Sequence, residues 1–317
     1  MRVTTRSTLL AAAAALAFTS TAHAAPVFIN ILTGGTSGVY YPIGVGLSQI
    51  YSDGIPGSKT SVQATKASVE NLNLLQAGRG ELAFALGDSV ADAKDGVADA
   101  GFKAPLTKLR AIGGAYPNYI QIVASKESGI KTLADLKGKT ISVGAPKSGT
   151  ELNARAIFKA AGLTYEDMGK VQYLPFAESV ELIKNRQLDA TLQSSGLGMA
   201  AIRDLSSVMP LNYVSIPTDV VAKIGNPAYQ SAMIPANTYD GQPEAVPTVA
   251  ITNILVTRAD VPDELAYEMT RLMFDNLARL GNSHSAAKDI KLETAAKNLP
   301  IPLHPGAERY YKEKGAL

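Results

Sequence analysis

Short apolar runs alternate with segments of helical periodicity along most of this 317-residue chain. The apolar run at residues 26–32 is followed by Ile43, Leu47 and Ile50, whose spacing of three and four residues predicts a helix. Similar apolar runs recur at residues 60–64, 82–86, 140–143, 171–174 and 189–193, each near a helical pattern. This alternation predicts an α/β architecture.

A glycine-rich loop, Gly34-Gly35-Thr36-Ser37-Gly38, joins the first predicted strand to the first predicted helix, which has Pro42 in its first turn. The first N–H groups of a helix have no partner inside it, so such a loop can hold a carboxylate or a phosphate. Plain turn chemistry is the alternative explanation of these glycines. The loop fits neither the G-x-G-x-x-G nor the P-loop pattern, so a nucleotide is not indicated.

Five polar loops follow predicted strands, and ligands of open α/β sheets bind outside the carboxyl ends of the strands. We therefore predict one ligand cleft that these loops share. Tyr116 either lines that cleft or fills the core, and Asp88 caps the following helix in preference to being a metal ligand or a general base. The predicted ligand-binding residues are Thr36, Ser37, Gly38, Tyr40, Tyr41, Thr65, Lys66, Ser68, Asp88, Tyr116, Lys147, Ser148, Gly149, Thr150, Ser194, Ser195, Gly196 and Leu197.

Residues 1–24 have the pattern of a secretory signal peptide: Arg2 and Arg6, then a short Leu/Ala run, then Ala-His-Ala ending at Ala24. We expect cleavage near Ala24 and export to the periplasm. Removing the two arginines from the 30 basic residues leaves 28, which equals the 28 acidic residues. A mature chain of near-zero net charge argues against nucleic-acid binding.

The residue types that carry most catalytic and metal chemistry are scarce. The chain has no cysteine, which excludes thiol catalysis and thiolate metal sites, and of three histidines only His284 and His304 follow the signal peptide. Both Ser37 and Ser148 miss the G-x-S-x-G pattern by one position, and a dyad of Ser148 with Lys147 is the remaining hydrolytic alternative. We expect no enzyme activity, no metal and no cofactor, with an exported serine hydrolase as the alternative.

Two series of strand, polar loop and helix indicate two α/β lobes. We place the first lobe at residues 25–121 plus 249–317 and the second at 122–248. The strands predicted at residues 119–124 and 248–257 would cross between the lobes as hinges. Within the first lobe we expect a loop at residues 52–57, a helix capped by Ser68, and a separate strand at 109–112 that a glycine-containing break divides from the crossing strand.

Several motifs keep one order along the mature chain and resemble a known family. They are the 34–44 run, Ser-Val-Glu-Asn-Leu at 68–72, Asp-Leu-Lys-Gly-Lys at 135–139, Ser-Gly-Thr at 148–150, Leu-Asp-Ala at 188–190, Ile-Pro-Ala-Asn-Thr-Tyr at 234–239, and Ile-Pro-Leu-His-Pro-Gly-Ala-Glu-Arg-Tyr-Tyr-Lys-Glu-Lys-Gly at 301–315. Together they resemble the TAXI family, the extracytoplasmic solute-binding proteins of tripartite (TRAP) transporters.

The resemblance implies a two-lobed type II periplasmic-binding-protein fold with a hinged ligand cleft. It implies capture of a small organic anion and its delivery to TRAP permease subunits in the membrane, and we expect the receptor to be a monomer. Acidic amino acids and dicarboxylates are ligands in the family, so a glutamate-like ligand is one alternative. The chain departs from the family pattern at Lys66 and Lys147, where small residues are common, and at Leu86, where a polar residue is common. If both lysines faced the cleft they would favour a dicarboxylate, because an unpaired buried charge is costly.

Overall fold

The computed structural model describes residues 26–317, so the predicted signal peptide lies outside the described residues. The strands are β1 (Val27–Leu32), β2 (Ser58–Gln63), β3 (Leu82–Leu86), β4 (Leu109–Ser125), β5 (Thr140–Ser142), β6 (Lys170–Gln172), β7 (Ala190–Ser195), β8 (Leu211–Val214), β9 (Gln230–Ile234) and β10 (Val246–Arg258). The α-helices are α1 (Tyr40–Gly54), α2 (Ser68–Gln76), α3 (Gly87–Asp95), α4 (Gly149–Ala160), α5 (Phe176–Lys184), α6 (Ala200–Val208), α7 (Thr218–Ile224), α8 (Asp263–Asp275), α9 (Leu277–Ser283), α10 (Leu292–Ala295) and α11 (Pro305–Glu313).

The strands form one mixed sheet in the order β2-β1-β3-β10-β4-β7-β5-β6, with β8 paired to β4 and β9 paired to β10. We call the half that contains β1–β3 the first lobe and the half that contains β5–β9 the second lobe. Both β4 and β10 run through the two halves as antiparallel neighbours. The α/β, two-lobed fold class expected from the sequence is confirmed.

The passage between the lobes coincides with irregular pairing of the two long strands. The register of β10 with β4 shifts between Thr252 and Ile254, close to the point where β10 begins to pair with β3. The predicted crossing segments, residues 119–124 and 248–257, lie inside β4 and β10. Their role as hinges and the residue limits of the lobes stay predictions.

The strand predicted at residues 109–112 is not separate from the crossing strand, because β4 is continuous from Leu109 to Ser125. Gly113 and Gly114, expected to break the chain, pair with β10 inside the sheet. A Cβ atom at Gly113 would collide with the Tyr311 hydroxyl of α11. These glycines therefore mark a close approach of another element to the strand.

The loop predicted at residues 52–57 begins later than expected, since α1 continues to Gly54. A Cβ atom at Gly54 would lie 2.6 Å from Leu272 of α8, so this glycine also permits close packing. The packing of α8 on α1 thus prolongs the helix past the residues that usually end one.

Buried side chains form three clusters around the sheet. One contains Leu32, Val69 and Phe102 in the first lobe, and a second contains Ile141 and Phe158 in the second lobe. The largest extends from α1 to the C-terminal helices and to α6. No helix within residues 26–317 combines the length and the apolar composition that crossing a bilayer requires.

Candidate functional site

A cavity of about 90 Å³ lies between the lobes at the carboxyl ends of several strands. For comparison, an engineered protein cavity that holds benzene measures about 150 Å³. The wall of the cavity between the lobes consists of Gly34, Gly35, Gly38, Val39, Tyr40, Thr65, Lys66, Ala67, Ser68, Leu86, Asn118, Ala145, Ser148, Thr150, Pro175, Phe176, Ser194 and Ser195. In this conformation the cavity therefore accommodates only a small ligand.

The glycine-rich loop after β1 forms one side of the cavity and also contacts the second lobe. The Val39 N–H donates a 3.3 Å hydrogen bond to Ser195 Oγ at the end of β7. Gly38 faces the Phe176 ring: a Cβ atom added at Gly38 would lie 3.6 Å from the ring carbons. The first turn of α1, which begins at Tyr40, thus meets the cavity as the sequence predicts.

The start of α4 forms the facing side. Ser148 Oγ accepts a 3.2 Å hydrogen bond from the Glu151 N–H, which makes Ser148 the N-cap of the helix. The N–H groups of Gly149 and Thr150 belong to the first turn and have no partner within the helix. An added Cβ atom at Gly149 would lie 2.7 Å from both Leu86 and Ser68 of the first lobe. The lobes are therefore in contact at this point.

A third helix, α2, also begins at the cavity, although not as predicted. Ser68 is its first residue and not its N-cap, and Ser68 Oγ accepts a 3.1 Å bond from the Leu86 N–H. That bond ties α2 to the end of β3, which explains why the hydroxyl does not cap its own helix. The residue before it, Ala67, has φ 68°, a strained conformation for a side chain other than glycine.

Hydroxyl groups on the wall differ in the bonds they can still form. Ser148 Oγ and Ser195 Oγ each accept a bond from a backbone N–H, which leaves the hydroxyl proton of each free to be donated. Thr65 Oγ1 is already engaged, with bonds to the Thr33 carbonyl and to Asn71. The wall built by residues 26–317 contains one lysine and no carboxylate. The free hydroxyl protons of Ser148 and Ser195, together with the lysine, suit an anionic ligand.

The two lysines that the sequence placed at the cleft are found in different positions. Lys66 is exposed but contributes to the cavity wall, whereas Lys147 is exposed and lies outside it. The backbone of Lys147 has φ 58°, in the left-handed region that favours glycine. No hydrogen bond links Lys147 to Ser148 in the described part of the chain, so the Ser–Lys arrangement of a hydrolase is not assembled here.

Asp88 lies behind the cavity wall and not on it. The prediction that it caps α3 is wrong, because Leu86 holds the N-cap position and no side chain caps this helix. Its carboxyl accepts bonds of 2.6 Å from the Tyr229 hydroxyl, 2.8 Å from Asn153 Nδ2 and 2.7 Å from the Ser89 N–H. Burial raises the pKa of Asp88 to about 6, against the opposing effect of these bonds.

The tyrosines separate into wall and core residues. The Tyr40 hydroxyl donates a 2.6 Å bond to Asn253 Oδ1, and its ring stacks on Phe84 at 5.0 Å. Burial raises the pKa of Tyr40 far above its usual range, so the hydroxyl remains a donor. Tyr116 is fully buried in the core, away from the wall, and Tyr41 is half-buried off the wall.

Half of the predicted ligand-binding residues lie on the wall, and their contact with a ligand stays a prediction. Those are Gly38, Tyr40, Thr65, Lys66, Ser68, Ser148, Thr150, Ser194 and Ser195. The predicted residues that do not line it are Thr36, Ser37, Tyr41, Asp88, Tyr116, Lys147, Gly149, Gly196 and Leu197.

The wall also contains residues that the prediction omitted: Gly34, Gly35, Val39, Ala67, Leu86, Asn118, Ala145, Pro175 and Phe176. Pro175 and Phe176 follow β6, so the rule on strand ends would have found them. Asn118 lies inside β4 and has no such signal.

Comparison with known proteins assigns the family. Residues 31–315 match the sequence profile described as the NMT1-like family. The chain belongs to the NMT1-like family. Within the described residues of this NMT1-like chain, no three side chains of the metal-binding types come together as a metal site.

Solved structures share the fold of this NMT1-like chain at low sequence identity. The structure of a periplasmic transporter aligns with a TM-score of 0.58 at 13% identity, over 91% of this chain and 93% of the other. The alkanesulfonate-binding protein SsuA from Xanthomonas axonopodis pv. citri, bound to MOPS, aligns with a TM-score of 0.50 at 16% identity, over 91% and 84%. A putative L-cystine ABC transporter protein from Listeria monocytogenes aligns at 0.50 and 14% identity, over 84% and 98%. These likenesses show the fold of two-lobed solute-binding proteins.

Proposed function

We propose that this protein is a solute-binding receptor that closes its two lobes on a small organic anion. The observation that carries the proposal is the wall of the cavity, where the first turns of α1, α2 and α4 meet and the described wall residues include no carboxylate. The acidic residues of these turns, Glu70 and Glu151, lie off the wall and accept bonds from the Lys66 N–H and from Arg155. Unpaired N–H groups and the positive ends of helix dipoles stabilise a negative charge at such a place. The free hydroxyl protons of Ser148 and Ser195 add two further donors.

Apolar residues and Lys66 on the wall indicate the chemistry of the rest of the ligand. Val39, Leu86 and Phe176 add apolar surface to the same wall. A dicarboxylate with a short apolar spacer would place one carboxylate at the start of α4 and the other near Lys66. Since Lys147 lies off the wall, this ligand rests on one lysine and not on the predicted pair.

The fold offers an analogy for anion binding. SsuA, whose structure holds the sulfonate MOPS, shares the two-lobed architecture at 16% identity. At that identity the analogy concerns the architecture alone. It is consistent with a cleft that holds an acidic group.

For the wider role we propose a periplasmic receptor of a TAXI-type TRAP transporter that passes its anion to membrane permease subunits. The sequence motifs at residues 34–44 and 301–315 support this subfamily, and the signal-peptide pattern supports export. Uptake of the anion by cells should then stop when the ion gradient is collapsed and continue when ATP is depleted. Dependence on ATP alone would assign the protein to another transporter class.

Calorimetry with matched pairs of solutes tests the binding function. Acetate, succinate, glutarate and methanesulfonate would be compared with the corresponding neutral amides. We expect at least one acid to bind and its amide not to bind. Binding of neutral solutes alone would contradict an anion site.

Two substitutions at Ser148 separate folding from charge. Asp caps a helix as well as Ser does, so Ser148→Asp should keep the stability of α4 and abolish binding by repulsion of the anion. Ser148→Ala should lose about 1 kcal/mol of folding stability and weaken binding only in part. Unchanged affinity in Ser148→Asp would place the ligand elsewhere.

The lysine substitutions test the dicarboxylate. Both side chains are exposed, so Lys66→Ala should weaken dicarboxylate binding by under about 1 kcal/mol and Lys147→Ala should leave it unchanged. A loss of about 2–5 kcal/mol at both positions would show that both lysines are buried against the ligand in the complex.

A further inference from the structure

A second contact between the lobes lies beside the cavity, at Asp88. This residue belongs to the first turn of α3 in the first lobe and is 3% exposed. Two of its three hydrogen-bond donors, Asn153 of α4 and Tyr229 before β9, belong to the second lobe. Opening of the lobes would break both bonds and return the carboxyl to water. Asp88 therefore has different surroundings in the closed and open forms.

Asn153 connects this contact to the cavity. Its Oδ1 accepts a 2.8 Å bond from Ser194 Oγ, and Ser194 Oγ accepts a 2.6 Å bond from Asn118 Nδ2. Ser194 and Asn118 both line the cavity, and Asn118 lies on the crossing strand β4. A continuous chain of hydrogen bonds thus runs from Asp88 to the cavity wall.

No cation compensates the charge of Asp88 in the described part of the chain. The groove next to it contains acidic groups from the first lobe and basic groups from the second, and two of the basic groups bond to other carboxylates. Arg155 bonds to Glu151 at 2.6 Å and Lys223 bonds to Asp219 at 3.0 Å. The ionisable groups of this groove are Asp92 on α3, Asp99 after it, Arg155 and Lys159 on α4, Lys223 on α7, and Tyr229.

We infer that Asp88 is an interlobe latch at which closure takes up a proton, so that capture of the anion is coupled to proton binding. The chemistry follows from burial without a counter-ion, which favours the neutral carboxylic acid. Protonation places one hydrogen on the Asp88 carboxyl, whose Oδ2 then donates to the Tyr229 oxygen instead of accepting from it.

The sign of the effect follows from the pKa values of the two forms. Burial raises the pKa of Asp88 from 3.8 to about 6 in the closed form, while a solvated carboxyl in the open form keeps the lower value. The closed form therefore binds more protons, and its advantage is present at low pH and lost as the pH rises through 6. These two values predict that the closed-to-open ratio increases about tenfold between pH 7.5 and pH 5.

The absence of cysteine in the sequence makes the lobe motion measurable with two labels. Gln49→Cys on α1 and Glu178→Cys on α5 place dyes at exposed positions, one on each lobe, for energy transfer. Ligand-free protein would be titrated from pH 8 to pH 5. This measurement needs no anion, so its result is independent of the proposed binding function.

We expect the closed population to rise as the pH falls through about 6. Asp88→Asn should remove this response, while the control Asp95→Asn on the exposed side of the same helix should keep it. Tyr229→Phe removes a donor that lowers the Asp88 pKa, so the midpoint should move upward.

Three results would overturn the inference: no response in the parent protein, the parent response in folded Asp88→Asn, or a midpoint that does not rise in Tyr229→Phe. If Asp88→Asn does not fold, the midpoint in Tyr229→Phe decides. The coupling to anion capture rests on the proposed function: a normal pH response in a protein that binds no anion would reject that coupling and the proposed function, but not the proton-linked closure.

Discussion

Gly149 shows how a single residue can govern contact between the lobes. As the first residue of α4 it faces Leu86 and Ser68 across the interface, and its backbone is not in the left-handed region. Glycine is therefore needed at this position because the neighbouring lobe leaves no room for a side chain, and not because of the backbone conformation of the helix. Closure, rather than folding, should be sensitive to a substitution here.

We expect Gly149→Ala to weaken anion binding at least tenfold, which is about 1.4 kcal/mol. The added Cβ atom would meet Ser68 and Leu86 at 2.7 Å in the closed form only. The melting temperature should stay equal or rise, because alanine restricts the unfolded chain. Calorimetry and thermal unfolding measure the two effects.

Gly35→Ala is the control, since Gly35 lies on the cavity wall and has nothing within 4 Å of an added Cβ atom. Equal affinity losses in the two variants would refute a specific role of Gly149 in closure.

At the residue scale, the sequence predicts which loops reach the cavity better than it predicts which side chains do. Ser148 and Thr150, which the sequence places between a strand and a helical pattern, both lie on the wall. The bonds of Asp88 were missed because Asn153 and Tyr229 lie 65 and 141 positions away in the chain. Periodicity and capping rules describe near neighbours, and they carry no information about such partners.

The strand β4 is the element in which local sequence signals and tertiary packing disagree. Gly113 and Gly114 favour a break, yet pairing with β10 on one side and packing of α11 above keep the strand continuous. The sequence indicated both ends of β4 as strand, and only the connection between them was wrong. Packing from a segment about 200 residues later in the chain supplies what the local signal lacks.

Gly113→Ala should lower the free energy of unfolding by about 1–3 kcal/mol, as is usual for overpacking of a filled site. The added methyl group would displace Tyr311, whose hydroxyl donates a 3.0 Å bond to the Ile112 carbonyl. Urea unfolding monitored by circular dichroism measures the loss. A change below about 0.5 kcal/mol would show that α11 can shift without cost.

The whole molecule consists of two lobes joined by two neighbouring strands. Alternation of strands and helices predicted the α/β class, because each period appears in the sequence itself. The two series of strand, polar loop and helix predicted two lobes, and the type II fold came from the family resemblance. The order of the strands could not be obtained in that way. The central position of β10, between β3 and β4, depends on pairing between segments that are far apart in sequence.

Small-angle scattering tests the hinge at this scale. Addition of a saturating anion identified by calorimetry should reduce the radius of gyration and shift an open ensemble towards the closed form. The size of the change depends on the closed fraction already present, so the comparison belongs at pH 7.5, where the closed form has no proton-dependent advantage. An unchanged radius at saturation would count against closure.

The central position of β10 also sets an order of assembly during biosynthesis. The segments that form β1, β2 and β3 are made first, yet their sheet stays incomplete until residues 246–258 have been added. Strands β5 to β7 and helices α4 to α6 lie in one continuous stretch and can associate before residues 246–258 have followed them. The first part of the chain to be synthesised is therefore among the last to reach its native state.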